Sequence, residues 1–366
     1  MQDRITLVVS DLHIGSGHRK GVVNFYDDFR HDSQLAALLR RYSQGRYEGT
    51  DVELVLNGDI FDLLKVHVRG QFPERITEPI AVHKLRRCLA GHPKVVRALT
   101  GFLGVRHKRI TLLPGNHDME FVYPQVQRTF CEAVAAKPTD PRMRFVVDRP
   151  EHRIEGGVEI HHGHQFEALH AFDWRRLFVE HHGERILNLP WGSLFILNVI
   201  NRFKPERPYL DTIKPFWPVF AGGFLFDPRF TARLSWASVV HFFETAFSPV
   251  WRRRLPSLGK LGRLLRQDMR FFSDLDGYAR RIFRRNPDLR VVSMGHVHTE
   301  TCRSFPGDRL YVNTGCWVPM VNLDIQNLGQ NSVPHYMLVR YTDKGTPRAS
   351  LMRWNGRRPI TEEVSF

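Results

Sequence analysis

At 366 residues, 42% hydrophobic and 25% charged, the chain has a globular composition for one large domain or two modest ones, which excludes a disordered chain. Its four cysteines, Cys88, Cys131, Cys302 and Cys316, are scattered with no CxxC pair, which excludes a disulfide framework or a zinc ribbon and fits a reducing, cytoplasmic setting. The net charge of +15 points to an acidic partner: nucleic acid, an anionic membrane surface or a phosphorylated substrate.

Met1-Gln2-Asp3-Arg4 leads straight into the strand-like run Ile5–Ser10, so no signal peptide is expected. A helix is expected over Asp32–Tyr42, a strand over Val52–Leu56, a helix over Ile80–Val105 and a strand over Arg109–Leu113. Further strands are expected at Gly157–Ile160, Arg290–Met294, Arg309–Asn313, Tyr336–Tyr341 and Ala349–Arg353. Each of the first five strand candidates is a short apolar, β-branched run closed by Gly or a polar turn. Alternation of strand and helix predicts an α/β domain, with the loops at strand carboxyl ends converging on one site.

Residues 166–285 break this pattern. They hold Trp174, Trp191, Trp217, Trp236 and Trp251, are rich in arginine, and are interrupted by eight prolines from Pro190 to Pro256. We expect a mostly helical, aromatic and basic insertion there, acting as a lid or as a lipid or membrane contact. The catalytic domain then comprises residues 1–165 and 286–366. Ile186–Phe203 is apolar, but Asn188, Pro190, Asn198 and Asn201 interrupt it before the ~20 residues that a spanning helix needs. Leu258, Leu261, Leu265, Met269 and Phe272 form an apolar stripe opposite Arg263, Arg266 and Arg270, the pattern of a surface helix packed on its own domain or laid on an anionic membrane.

Five motifs follow strand candidates: Asp11-Leu12-His13, Gly58-Asp59, Gly115-Asn116-His117-Asp118, His162-Gly163-His164 and Gly295-His296-Val297-His298. Together they mix carboxylate, amide and imidazole donors, a set that suits borderline divalent ions. With one bridging carboxylate such a set can hold two metals roughly 3.5–4 Å apart, clamped on a phosphoryl group. In isolation each motif has a plainer reading, Asp11 as a strand-end cap and Asp118 as an Asx-turn residue. His161 and His164 flank His162 and leave the choice of ligand open. His18, His31, His83, His92 and His107 lie outside the motifs and are expected at the surface.

The ordered set resembles the calcineurin-like metallophosphoesterase superfamily, whose pattern is DxH, GDxxD, GNH(D/E), a later His, and GHxH. The match covers roughly residues 5–165 and 290–316. The resemblance implies a four-layer α-β-β-α sandwich and a binuclear-metal phosphoester hydrolase that uses a metal-bridging hydroxide. It implies that Asp11, His13 and His298 bind one metal, that Asn116, His162 and His296 bind the other, and that Asp59 bridges both. It further implies that His117 is a catalytic acid or electrostatic partner of the phosphate, oriented by Asp62. The implied cofactors are two divalent ions, manganese first, with iron, zinc, cobalt or nickel as alternatives.

Ser10–Gly15, Asp59-Ile60-Phe61-Asp62 and Asn313-Thr314-Gly315-Cys316-Trp317 resemble the branch containing UDP-2,3-diacylglucosamine diphosphatases of lipid A synthesis. The chain departs from that branch by carrying His117 where those enzymes carry Arg, and by its longer insertion. The implied substrate is a lipid-linked or nucleotide phosphodiester or pyrophosphate, with peripheral contact to an anionic membrane. A DNA or RNA nuclease of the same superfamily is the alternative, since basic residues interleaved with aromatic ones can also hold nucleic acid. An inactive scaffold would lack ligands, whereas all seven and His117 are present.

Overall fold

A computed structural model describes residues 4–18, 21–214, 217–248, 250, 275–322, 329–331 and 333–361. From the amino end, β1 (Arg4–Val9), α1 (Asp32–Ser43), β2 (Asp51–Asn57), α2 (Glu78–Gly91), α3 (Pro93–Leu103), β3 (Lys108–Leu113), α4 (Pro124–Ala133) and β4 (Met143–Phe145) alternate between the sheet and its helical cover. β5 (Glu151–Ile154) and β6 (Val158–His161) pair antiparallel. The insertion contributes the hairpin β7 (Phe178–His181) and β8 (Glu184–Leu187), the two-residue β9 (Ile213–Lys214), and helices at Trp191–Phe195, Trp217–Phe226 and Pro228–Phe247. Helix Asp276–Arg285 leads back to β10 (Val291–Met294), β11 (Glu300–Phe305) and β12 (Arg309–Thr314). The chain closes with β13 (Met320–Asn322), β14 (Gly329–Asn331), β15 (His335–Tyr341), β16 (Pro347–Trp354) and β17 (Pro359–Thr361).

A seven-stranded sheet runs β17-β16-β15-β1-β2-β3-β4, with β1 to β4 parallel and β15 antiparallel to β1. A five-stranded sheet runs β11-β12-β10-β6-β5, with β12, β10 and β6 parallel. Strand side chains alternate faces, and the two faces of each sheet are both apolar here. Leu7 and Val9 of β1 and Leu54 and Leu56 of β2 face the helices in one core. Val8 and Val55 point the other way and meet Val158, Ile160, Val291 and Val312 of the second sheet. The second sheet's outer face, through Val292, Met294 and Tyr311, packs on Ala279 and Phe283 of helix Asp276–Arg285. The result is four layers, α-β-β-α. Each fully buried Leu or Val contributes about 1.5–3 kcal/mol of transfer free energy.

The helix expected over 80–105 is two helices. His92-Pro93 divides them, because Pro93 cannot donate to the ladder but fits the first helical position of α3. The described residues within 166–285 form helices and also the β7–β8 hairpin, whose four-residue strands are too short to show a strand pattern. Phe172, Ile186, Leu187, Leu194 and Leu197 join the main core, while Val199, Phe203, Leu210, Phe230 and Leu234 form a separate cluster. The stripe from Leu258 to Phe272 lies outside the described residues. No helix among the described residues is long and apolar enough to cross a membrane. His92 corrects an expectation: it is buried between Asp27 and Asp32, 2.9 Å from each, rather than at the surface.

Candidate metal centre

The ligand loops leave the carboxyl ends of β1, β2 and β3 in one sheet and of β6 and β10 in the other. The first two loops stay paired beyond their strands: Asp11 N donates to Gly58 O at 3.1 Å and His13 N to Asp59 O at 2.9 Å. Five of the seven expected ligands take left-handed backbone: Asp11 (φ 53°), His13 (48°), Asp59 (50°), His296 (71°) and His298 (61°). Such conformations cost of order 1–3 kcal/mol each and persist where surrounding contacts over-determine them, as at functional sites. Gly115 is required by close approach, since a Cβ there would meet the Asp59 carboxylate and amide. Gly295 stands in the same relation to Asp11 and Ser10.

Three donor triads converge within 4.8 Å each: Asp11, His13 and His298; Asp59, His162 and His296; and His13, Asp59 and His117. His13 Nε2 and His298 Nε2 face each other at 3.0 Å, and His298 Nε2 is 3.3 Å from Asp11 Oδ1. His13 Nδ1 is 3.2 Å from Asp62 Oδ2. His162 Nδ1 donates to the Asn57 carbonyl at 2.9 Å, which aims Nε2 into the site, 3.3 Å from Asp59 Oδ2. That His162 Nε2 and Asn116 Oδ1 are buried without a hydrogen-bond partner. Each such atom costs about 1–3 kcal/mol, a cost that coordination to a cation removes. The donor set and these two atoms fit divalent metal ions.

His161 and His164 stand apart from every donor triad. The His161 ring sits between Glu159 Oε1 at 2.7 Å and Gln165 Nε2 at 2.9 Å. His164 is buried beside His162, their ring centroids 5.4 Å apart. His117 Nδ1 is 2.8 Å from Asp62 Oδ1, so Asp62 holds both His13 and His117. The His117 backbone N–H donates to Asp59 Oδ1 at 2.8 Å.

Electrostatics follow from this crowding. Without cations, burial pushes Asp11 up, but His162 and His298 outweigh it and hold the carboxyl at about 2. Burial likewise opposes ionisation of Asp59 and Asp62, yet His162 holds Asp59, and Lys65 with His117 holds Asp62, well below the carboxylate range. Burial lowers His162, and the Asp59 and Asp11 charges reverse this, to about 10. A histidine proton and a cation therefore compete for the same lone pair.

Several contacts here were not legible in the sequence pattern, although Asp118 itself stands in the third motif. The Asp118 carboxylate accepts the backbone N–H groups of Ile60 at 2.8 Å and Gly115 at 2.6 Å, tying the third motif to the second. Burial and the Asp59 charge push this carboxyl up to about 7, against the pull of the N–H groups of Gly115 and Phe61. Lys65 grips Asp62 at 2.9 Å and is itself held by Asp28 at 3.0 Å and Asp211 at 2.5 Å. Glu167 Oε2 lies 2.9 Å from His296 Nε2 and forms with His170 and His296 a further donor triad. Only the position of Glu167, five residues after His162, offered a signal for it.

No protein-family profile matches the chain, and no curated protein sequence matches it. Among solved structures it is similar to a dimetal phosphatase from Danio rerio, at 10% identity over 98% of each chain with a TM-score of 0.36. It is similar to a putative 5'-nucleotidase from Staphylococcus aureus, at 12% identity over 100% of this chain and 56% of that one, TM-score 0.34. It is also similar to Vacuolar Protein Sorting 29 from Cryptosporidium parvum, at 11% identity over 100% of this chain and 99% of that one, TM-score 0.34. Overlaps this loose carry no weight for activity, which is read below from donor geometry.

Proposed function

We propose that the chain is a binuclear metal-dependent phosphoester hydrolase. Asp11, His13 and His298 hold one ion, Asn116, His162 and His296 the other, and Asp59 lies between them. The carrying observation is the convergence of these motifs into donor triads from both sheets, with Asn116 Oδ1 buried without a hydrogen-bond partner and His162 Nε2 aimed at Asp59 Oδ2 from 3.3 Å. When bound, two such ions supply Lewis-acid charge to a phosphoryl group and acidify a water. The chain's own part is positioning. Asp62 fixes the His117 ring through Nδ1, which leaves Nε2 as the nitrogen that holds a proton for the leaving oxygen. Left-handed backbone at five ligands aims their donors before any cation arrives.

The substrate class we favour is a lipid-linked or nucleotide phosphodiester or pyrophosphate. Support comes from apolar side chains in water on the insertion helices: Leu225 is 76%, Phe226 84%, Trp236 70% and Phe247 81% exposed. An exposed patch of this kind marks a contact with lipid or protein, so peripheral association with an anionic membrane belongs to the same reading. The test is turnover by manganese-loaded protein of p-nitrophenyl phosphate, bis-p-nitrophenyl phosphate and a nucleotide-linked diacyl sugar, with and without detergent. Fastest, detergent-dependent turnover of the glycolipid supports the reading. Failure on the glycolipid with turnover of the diester removes the lipid assignment alone, and failure on all three removes hydrolysis.

A further inference from the structure

Two adjoining cavities, of about 410 and 540 Å3, open beside α1 on its side away from the sheet. They share Ala37, Arg40 and Gln44. The larger runs between α1 and α3, from Ser33 and Lys94 to Gln44 and Phe102. The smaller lies at the carboxyl end of α1, where Gln44–Tyr47 lead into β2. That end is opposite the ligand loops, which follow the carboxyl ends of the strands.

The lining is cationic along its whole length. Arg40, Arg41, Arg46 and Arg357 surround the smaller cavity, and Lys94 and Arg97 line the larger, with no carboxylate in either wall. Among the described residues none of these six side chains forms a salt bridge. Lys94 rests on the Ser33 hydroxyl at 3.2 Å and Arg46 on the Tyr47 hydroxyl at 2.7 Å, both neutral. Helix polarity accounts for Arg40 and Arg41, which sit in the last turn of α1. It works against Lys94, a cation in the first turn of α3, where there is no acidic residue. Lys94 feels the charge of Asp32 nearby, but no carboxylate stands among the six cations in the walls, and a polyanion lying along them would relieve their mutual repulsion.

We propose that this groove binds the phosphate backbone of a single-stranded nucleic acid. The twelve residues of α1 make a helix of about 18 Å, long enough to span several consecutive phosphates of one strand. One small anion would engage only part of six cations strung over two cavities. An anionic membrane is the poorer fit, because none of the large exposed apolar side chains that would insert into it lies beside these cations. The Tyr47 ring is covered by Arg46 on one side, 4.6 Å from its centroid, and packs against Tyr42 at 4.8 Å, so no free aromatic face reads a base. Binding is therefore by backbone and indifferent to sequence.

The proposal stands independently of the metal centre. Its test is fluorescence anisotropy of labelled oligo-dT and oligo-rU of about twelve nucleotides, in a chelator so that no metal-dependent cleavage intervenes. Wild type should bind both with an affinity that falls steeply with salt. The exposed pair Arg40→Glu with Arg97→Glu should lose at least tenfold and reduce the slope of log affinity against log salt by roughly two. Arg128→Glu with Lys344→Glu, outside both cavities, makes the same change in net charge and should stay within about twofold of wild type. Equal losses in the two pairs would show diffuse attraction and overturn the groove. So would absence of salt-sensitive binding, or inorganic tripolyphosphate displacing the strand at equal phosphate concentration. Vesicles of anionic lipid weakened by the Arg40 and Arg97 pair while the oligonucleotide is not would assign the groove to membrane instead. Metal content and small-substrate turnover should be untouched in both pairs, so failure here leaves the proposed hydrolysis standing.

Discussion

At Asp59 the chain brings a carboxylate, a left-handed backbone and a glycine neighbour to one point. Gly115→Ala is expected to push that carboxylate off its position, so metal content should fall with activity while the fold, held by cores remote from the loop, is kept. Mass-spectrometric metal analysis beside circular dichroism reads both, and full metal content in the variant would refute the packing argument. His117 has a different expected signature. His117→Ala should keep both ions and lose turnover by about 10²–10⁴-fold, the usual weight of a positioned acid, most severely on substrates with poor leaving groups. Loss of metal instead would make His117 a ligand, as its triad with His13 and Asp59 permits. These residues were legible because each motif is contiguous and sits in one short loop. Glu167, Asp28 and Asp211 were not, because partners such as His296 and Lys65 lie far away in sequence; Lys65 stands only three residues from Asp62, but a lysine at that spacing carries no metal-site signal.

Elements carry the next set of consequences. The break at His92-Pro93 places a histidine between two carboxylates, and the pairing reverses what burial alone would do. Burial lowers the His92 ring, while hydrogen bonds to Asp27 and Asp32 raise it from 6.5 to about 9. With the folded value raised, the stabilisation is complete below pH 6.5 and is lost as pH climbs through 9. The difference is worth about 3 kcal/mol. Urea denaturation of the metal-free protein at pH 6 and 9.5 should show this loss on top of the one His162 contributes, and His92→Ala should shrink the total by about 3 kcal/mol; an unchanged pH dependence in the variant would place the linkage elsewhere. The insertion is tied in more firmly than its composition suggested. Asp211 joins Lys204 and Lys65 at 2.5 Å each, and Lys65 grips the Asp62 that holds His117. Asp211→Asn leaves two buried ammonium groups short of a charge, and should cost about 3–5 kcal/mol in denaturant titration and lower turnover with metal retained. Unchanged stability would mean that Asp28 alone suffices.

Over the whole molecule, strand alternation made the α/β class legible, and loops at strand carboxyl ends made the site's position legible. The resemblance supplied the four layers. Composition alone could not reveal that both faces of each sheet are covered, because Val8 and Val55 read the same whether they meet a helix or a second sheet. The β7–β8 hairpin was hidden because its strands, Phe178–His181 and Glu184–Leu187, are only four residues each and too short for alternation to register. The positive charge is partly concentrated along α1 and α3, at a distance from the ligand loops, and so belongs to a different question from catalysis. The central claim remains that two cations sit astride Asp59 and carry phosphoester hydrolysis. Its most direct measurement is hydrolysis of bis-p-nitrophenyl phosphate by chelator-stripped protein during titration with manganese, beside Asp59→Asn. The account predicts no turnover at zero metal, a plateau at two equivalents per chain, and neither binding nor turnover in the variant. Turnover by the stripped protein, or an Asp59→Asn titration that overlays wild type, would contradict it.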